Sequence, residues 1–186
     1  MIKYKKNGYT LVELLAVIFI LVAVGTIISS ILTSVLRSSN KSTNTEVVRT
    51  NGNNAIAQMS RMITYAQKLE GVSDGSGSYT DCVPKPAQPV EKHYQSVQIK
   101  GFDSGITTFS CANSQVASQS ASGTSYLVDP SLNASCYFKC AQESAAAPVK
   151  IDIFLDLRAT SSAVFAESQA VINFETSVVL RNNGNR

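Results

Sequence analysis

The stretch KKNGYTLVELLAVIFILVAVGTIISSILTSVL, residues 5–36, determines how this chain is organised. Between residues 14 and 28, every residue except Gly25 and Thr26 is apolar. As an α-helix, residues 9–36 are long enough to cross a hydrocarbon core about 30 Å thick. The sequence therefore predicts a transmembrane helix close to the N-terminus.

The net charge of the chain is carried by the residues before this helix. The 186 residues include 16 Lys+Arg and 13 Asp+Glu, a formal charge of +3, and Lys3, Lys5 and Lys6 account for the excess. A nucleic-acid-binding domain carries its basic excess on a folded face, so nothing here points to a nucleic-acid partner. Lysines before an apolar span predict a cytoplasmic N-terminus, with residues 37 onward on the outer side of the membrane.

Other kinds of N-terminal segment fit this stretch less well. A secretory signal peptide has a shorter apolar core and then a small-residue cleavage site, which Ile27-Ile28-Ser29-Ser30 matches only weakly. A lipoprotein signal requires a cysteine directly after the span, but the first cysteine is Cys82. A plain signal anchor leaves Glu13 unexplained, because a carboxylate at this depth costs roughly 2.5–3.5 kcal/mol.

Residues 5–17, KKNGYTLVELLAV, resemble the class III leader of type IV prepilins and pseudopilins. In that family a prepilin peptidase cuts after the glycine and methylates the new N-terminus. The resemblance implies cleavage between Gly8 and Tyr9, N-methylation of Tyr9, and Glu13 as the glutamate at the fifth mature position. The family most often has Phe where this chain has Tyr9, so one aromatic residue replaces another. Loss of the leader leaves 13 basic and 13 acidic side chains.

The resemblance also implies a role for Glu13 in assembly. Cleavage leaves a cationic amine at Tyr9, and we expect the Glu13 carboxylate of a neighbouring subunit to pair with it during assembly. Such a pair removes most of the burial penalty that each charge pays alone, and it fixes the axial register. The implied partners are the prepilin peptidase, other pilin or pseudopilin subunits packed helix to helix, and the inner membrane before assembly.

Residues 37–70 have the pattern of an amphipathic helix that continues from the membrane span. Their apolar positions recur at spacings of four and three: Val48, Gly52, Ala55, Met59, Met62, Ala66 and Leu69. We expect the helix to run to about Leu69 and the glycine-rich residues 71–77 to end it. The segment Asn51-Gly52-Asn53-Asn54 is a poor helix former, so we expect a bend or fraying there.

Residues 71–186 have the pattern of a β-rich domain. Residues 149–157 and 170–180 alternate strictly between apolar and polar side chains, which predicts half-buried strands of an antiparallel sheet. Shorter predicted strands are 96–102, 106–111, 125–128 and 136–139. Residues 113–124 and 142–148 are predicted loops, and the tail NNGNR is expected to be frayed.

The predicted fold is therefore α+β and pilin-like, with a long N-terminal helix packed on a C-terminal antiparallel sheet. Four segments are expected: the leader 1–8, whose end is implied by the resemblance, the membrane helix 9–36, the amphipathic half 37–70 and the globular domain 71–186. Two stretches, NNAIAQMSRMITYAQ at 53–67 and FETSVVLRN at 174–182, resemble minor pilins and the J- or W-type pseudopilin-like members of the superfamily.

All four cysteines, Cys82, Cys111, Cys136 and Cys140, lie in the part predicted to be outside the membrane, which favours disulfides. We favour Cys136–Cys140 as a small local loop, together with Cys82–Cys111. In the alternative, Cys82 pairs with one of the two later cysteines. The spacing C-x28-C-x24-C-x3-C lacks the paired knuckles of a zinc site.

Three features of the sequence could suggest catalysis: a G-x-S-x-G match, a histidine and a pair of aspartates. Gly71-Val72-Ser73-Asp74-Gly75 matches G-x-S-x-G, but the nucleophile elbow requires a preceding strand and a following helix, whereas a helix end and a Gly/Ser loop are predicted here. The chain has one histidine, His93, which is interpreted as a surface loop residue. Asp152 and Asp156 share one strand face, and a solvated face is the simpler interpretation. No cofactor and no enzymatic activity are predicted.

The sequence and the resemblance together predict a structural subunit of a type IV pilus-like or type II secretion pseudopilus filament. The alternative is a membrane-tethered extracellular binding module, or an adhesin-like minor subunit, that does not form the filament shaft. Either protein would begin as a single-pass membrane precursor. The filament subunit would then become periplasmic or extracellular.

Overall fold

The computed structural model describes residues 10–82, 92–144, 147–159 and 170–182. Within these residues one helix precedes eight strands, so the fold is α+β with a long N-terminal helix. The elements in chain order are α1 Leu11–Thr64, β1 Lys68–Ser73, β2 Ser96–Lys100, β3 Ile106–Ala112, β4 Gln115–Ser120, β5 Gly123–Tyr126, β6 Leu132–Ala141, β7 Lys150–Ala159 and β8 Val171–Val179. The chain divides after Ser42 into two compact units.

In the second unit, one face of α1 is buried. The buried positions follow one another at spacings of four, three, four and four: Val48, Gly52, Ala55, Met59 and Ile63. The first four are predicted members of the apolar stripe, and this part of the prediction is confirmed. Met62, which was expected in the stripe, is only partly buried.

The helix ends at Thr64, so the prediction that it reaches about Leu69 is wrong. Leu69 belongs to β1, where it pairs with Ile99 of β2 in an antiparallel ladder. A remote part of the chain donates hydrogen bonds to the carbonyl of the last helical residue and to a carbonyl two residues beyond it. The Arg181 N–H donates to the Thr64 carbonyl at 3.3 Å, and the Asn182 side-chain amide donates to the Ala66 carbonyl at 3.2 Å. These long-range bonds, which no local pattern encodes, satisfy the groups that a helix terminus leaves unpaired.

The segment Asn51–Asn54 is helical throughout, contrary to the expected bend or fraying. The Asn51 side-chain amide donates to the Val47 carbonyl at 2.9 Å, and its Oδ1 accepts from the Asp129 N–H at 3.2 Å. Gly52 faces the ring of Phe174, and a Cβ at this position would overlap that ring. Both weak helix formers therefore serve tertiary contacts, which outweigh their low intrinsic propensity.

Two antiparallel sheets are present among the described residues, where a single sheet was predicted. The first has the order β1-β2-β3-β4-β5 and the second the order β6-β7-β8. The predicted alternation along residues 149–157 is confirmed, because Ile151, Ile153, Leu155 and Leu157 are fully buried. Along β8 the same alternation is present, with the outward positions exposed.

The prediction that residues 113–124 form a loop is wrong, since they contain β4 and the start of β5. Asn113 and Ser114 join β3 to β4 with φ values of 53° and 58°, as expected of a tight hairpin turn of type I′. The polar composition concealed β4 because only Val116 of this strand is fully buried. Of the tail NNGNR, residues 183–186 lie outside the described part of the chain.

The core of the second unit is formed jointly by the helix and both sheets. Among the described residues, the three largest side chains that are completely buried are Met59 of α1, Phe109 of β3 and Phe138 of β6. A main-chain bridge between Tyr94 and Phe138 also joins the segment before β2 to β6. Because the two sheets share one core, their outer faces and turns are held in fixed positions relative to one another.

Candidate functional site

Thr10 caps the beginning of α1. Its Oγ1 accepts a hydrogen bond from the Glu13 N–H at 3.3 Å, and its carbonyl accepts from the N–H groups of Glu13 and Leu14. The sequence Thr-x-x-Glu at these positions is that of a capping box, and Glu13 in the first turn also complements the helix dipole. Glu13 therefore helps to begin the helix, and the hydropathy pattern alone did not predict this contribution. Gly8 and Tyr9, the predicted cleavage and methylation residues, lie outside the described residues.

The first 26 residues of α1 present exposed apolar side chains. Seventeen large apolar side chains between residues 11 and 36 are 46–76% exposed: Leu11, Val12, Leu14, Leu15, Val17, Ile18, Phe19, Ile20, Leu21, Val22, Val24, Ile27, Ile28, Ile31, Leu32, Val35 and Leu36. By length and composition, the helix that carries them is suited to cross a membrane. Such a surface is stable only in lipid or against other apolar helices.

Three hydroxyl groups within this apolar segment are paired with the backbone of the helix itself. Thr26 donates to the Ala23 carbonyl, Ser30 to the Ile27 carbonyl and Thr33 to the Ser29 carbonyl, each at 2.8 Å. These intrahelical bonds remove most of the cost of placing a hydroxyl in hydrocarbon. The segment is therefore chemically compatible with a bilayer or a helix bundle.

The four cysteines form two disulfides, Cys82–Cys140 and Cys111–Cys136. The favoured pairing, Cys136–Cys140 with Cys82–Cys111, is wrong, and the alternative in which Cys82 reaches a later cysteine is correct. Cys136 and Cys140 lie four residues apart on β6, and a strand holds residues at that spacing too far apart for a disulfide. The Cys111–Cys136 bridge joins the two sheets, because Cys111 lies on β3.

Within the described residues, no group of three or more His, Cys, Asp or Glu side chains is placed to hold a metal ion.

The G-x-S-x-G match lies at the end of β1, not at the end of a helix as predicted. Ser73 is only 3% exposed, and its Oγ accepts a hydrogen bond from the Gly75 N–H at 3.3 Å. Asp74 pairs with Lys92 at 3.0 Å. Hydrogen bonds from Ser76 and Lys92, with the charge of Lys92, lower the pKa of Asp74 to about 2. A carboxylate held ionised in this way is a turn-stabilising acceptor and a poor proton donor.

His93 is exposed but belongs to a row of stacked rings. Its ring lies 4.2 Å from that of Tyr137, which lies 4.6 Å from that of Phe154, both measured between centroids. The Lys139 ammonium group lies 5.0 Å from the centre of the Phe154 ring. The faces of the rings are stacked against one another. The row therefore packs β6 against β7 on the outer face of the second sheet.

Asp152 and Asp156 do lie on one outward strand face, as predicted. Asp152 pairs with Lys150 at 2.9 Å and accepts a hydrogen bond from the Ser177 hydroxyl. Burial raises the pKa of Asp152, but the hydrogen bonds from Ser177 and Lys150 and the nearby lysine charges outweigh it, so the pKa is lowered overall. A catalytic acid requires a raised pKa, and the environment of Asp152 has the opposite effect.

Open grooves follow the exposed face of the last two turns of α1. They are lined by Ala57, Gln58, Arg61, Met62, Thr64 and Tyr65. The Arg181 guanidinium group lies 5.3 Å from the centre of the Tyr65 ring. We call this surface, with Arg181, the helix-end groove. Tyr65 and Arg181 lie in the two stretches, 53–67 and 174–182, that were noted only for a family resemblance, and no local pattern brings Arg181 to Tyr65.

No protein-family model, curated protein or solved structure matches this chain.

Proposed function

We propose that this chain is a structural subunit of a type IV pilus-like or type II secretion pseudopilus filament. A prepilin peptidase processes the precursor between Gly8 and Tyr9, and the apolar half of α1 then polymerises the subunits. The class III leader pattern in residues 5–17, with Glu13 at the fifth mature position, carries this proposal.

The exposed apolar surface of α1 supports the proposal. A subunit that first resides in a membrane and then joins a helix bundle needs a segment that both surroundings accept. Residues 11–36 offer a predominantly apolar surface, and the hydroxyls of Thr26, Ser30 and Thr33 are paired within the helix. Packing against like helices replaces lipid contacts at little cost in hydrophobic free energy.

The body that follows the apolar segment is consistent with a location outside the cytoplasm. Its two disulfides tie the connection between β1 and β2, and strand β3, to β6. Disulfides form and persist in oxidising compartments, as expected for a body placed in the periplasm or beyond. The lysines before the apolar segment favour the same orientation.

The substitution Gly8→Ala tests the proposal directly. Co-expressed with a prepilin peptidase, the wild-type chain should lose residues 1–8 and gain an N-methyl group on Tyr9, which intact-mass measurement detects. The Gly8→Ala chain should keep all eight residues and remain in the membrane. Gly25→Ala is the matched control, since a Cβ at Gly25 meets no atom within 4 Å.

An intact Met1 on the wild-type chain, or a cut near Ser30, would show that the proposal is wrong. Correct processing without incorporation into sheared filaments would favour the membrane-tethered binding module instead. Electron microscopy and immunoblotting of the sheared fraction distinguish these outcomes.

A further inference from the structure

The turn between β2 and β3, residues 101–105, holds Phe102 at its apex. The Phe102 side chain is 70% exposed. The Gly101 N–H donates to the Gly105 carbonyl at 2.8 Å, the Ser104 N–H donates to the Gly101 carbonyl at 3.1 Å, and the Gly105 N–H donates to Asp103 Oδ1 at 3.0 Å. A large apolar ring on a turn with this many internal bonds can be buried by a partner with little loss of backbone entropy.

The helix-end groove has the complementary chemistry. Met62 and Tyr65 supply apolar and aromatic surface, while Arg61 and Arg181 supply positive charge. Among the described residues, neither arginine forms an ion pair. On the turn, Asp103 is exposed beside Phe102 and likewise forms no ion pair in this part of the chain. An aromatic ring next to a carboxylate therefore matches a groove of methionine, tyrosine and arginine in side-chain chemistry and in charge.

We propose that the Phe102–Asp103 turn of one copy docks in the helix-end groove of a second copy of this chain. Phe102 would lie against Met62 and Tyr65, and Asp103 would pair with Arg61 or Arg181. The proposal rests on the proposed function, and it identifies a contact between the folded bodies of neighbouring subunits. A contact of this kind joins two different patches of the same molecule, so it can be repeated from copy to copy without closing.

The turn lies near the end of α1 but does not fill the groove of its own chain, since the side chain of Phe102 is exposed to solvent. The Gln67 N–H, three residues after the helix, donates to the Lys100 carbonyl at 2.8 Å, which fixes the base of the turn beside that end. Every copy of this chain carries both the exposed Phe102 ring and the helix-end groove. A second copy therefore supplies an occupant with the required chemistry.

Cross-linking between two tagged copies tests the contact. One full-length copy carries Phe102→Cys and the other Met62→Cys, and both are expressed together in membranes. We expect a mixed cross-link with a short bismaleimide that exceeds the control by about tenfold or more, as expected for a pair held in one geometry. The control replaces Phe102→Cys by Tyr126→Cys, an aromatic residue that is 61% exposed on β5. A cross-link no stronger than this control would overturn the proposal.

A second experiment measures assembly. Phe102→Ser and Arg61→Glu should each reduce the sheared filament fraction by about tenfold or more, the loss typical of a hot-spot residue. Tyr126→Ser and Arg158→Glu should leave it unchanged. Processing at Gly8 is measured in parallel. If the wild type is cleaved but forms no filaments, the proposed function fails, while the cross-link still tests the contact. If filaments form and Phe102→Ser assembles as well as Tyr126→Ser, the contact fails and the proposed function stands.

Discussion

The ring of Phe174, on β8, lies directly against Gly52 in the C-terminal quarter of α1, in the space that a side chain at residue 52 would occupy. This contact brings the helix and the last strand together without any atom between the ring and the helix backbone. It explains why a poor helix former stands at a buried helical position, since only glycine permits this approach.

Gly52→Ala should destabilise the folded body, although alanine has the higher helix propensity by about 1 kcal/mol. The added Cβ forces Phe174 out of its place, and overpacking of this kind costs about 1–3 kcal/mol in the free energy of unfolding. Thermal or urea unfolding followed by circular dichroism measures the change.

The neighbouring exposed position supplies the control for this prediction. Asn53→Ala should be neutral or slightly stabilising, because Asn53 faces solvent. Phe174→Ala should remove most of the additional penalty of Gly52→Ala in the double variant. Equal effects of Gly52→Ala with and without Phe174 would contradict the packing explanation.

Non-reducing peptide mapping should find Cys82 linked to Cys140 and Cys111 linked to Cys136. The bridges close sequence separations of 58 and 25 residues. Loop-closure entropy then predicts a loss of about 3–4 kcal/mol for removal of either bridge. The double variants Cys82→Ser/Cys140→Ser and Cys111→Ser/Cys136→Ser should contain no free thiol. A free thiol in either one would refute the pairing.

The pairing of Asp74 with Lys92 predicts the pH dependence of this turn. Because the pKa of Asp74 is lowered from 3.8 to about 2, the interaction is fully present above about pH 4 and is lost as the pH falls toward 2. Carboxyl NMR titration should place the midpoint for Asp74 near 2. Lys92→Ala should move it upward, whereas Lys150→Ala, which breaks the ion pair of Asp152, should not.

Glu13→Gln tests the charge of Glu13 separately from its contribution to the helix start. The variant keeps the backbone N–H that bonds to Thr10, so processing and helix formation should be normal. Assembly should fall by about tenfold or more, because loss of one partner of a buried ion pair costs about 3–5 kcal/mol. Glu46→Gln, on the folded half of the same helix, is the control. Wild-type assembly of a fully processed Glu13→Gln chain would disprove the pairing with the neighbouring amine.

The elements that local periodicity encodes were predictable. The apolar residues 14–28 and the alternating residues 149–157 each carry a complete pattern, and both predictions are confirmed at the level of helix and strand. Strand β4 was missed because Gln115–Ser120 is mostly polar and only half-buried, so its hydrogen-bonding partner β3 determines its structure. Strand β1 was missed for a different reason: Leu69 continues the helical spacing of apolar residues in the sequence, but in the structure it pairs with Ile99 of β2.

The candidate sites also differ in whether the sequence alone could predict them. The leader pattern and Glu13 are contiguous in the chain, so the sequence alone proposed them. The helix-end groove combines Tyr65 with Arg181, and the turn that we propose to fill it presents Phe102 between two strands. No spacing rule connects Tyr65 with Arg181, because their proximity arises only when the end of α1 and the end of β8 pack together.

The sequence by itself determined the apolar helix, the α+β class and the two alternating strands, because hydrophobic burial imposes a period that neighbouring residues record. The tertiary structure decided where the helix ends, that there are two sheets in the described residues, and which cysteines pair. It also decided the role of Gly52 beside Phe174. Each of these depends on distances between residues far apart in the chain, which only the packed fold brings within contact.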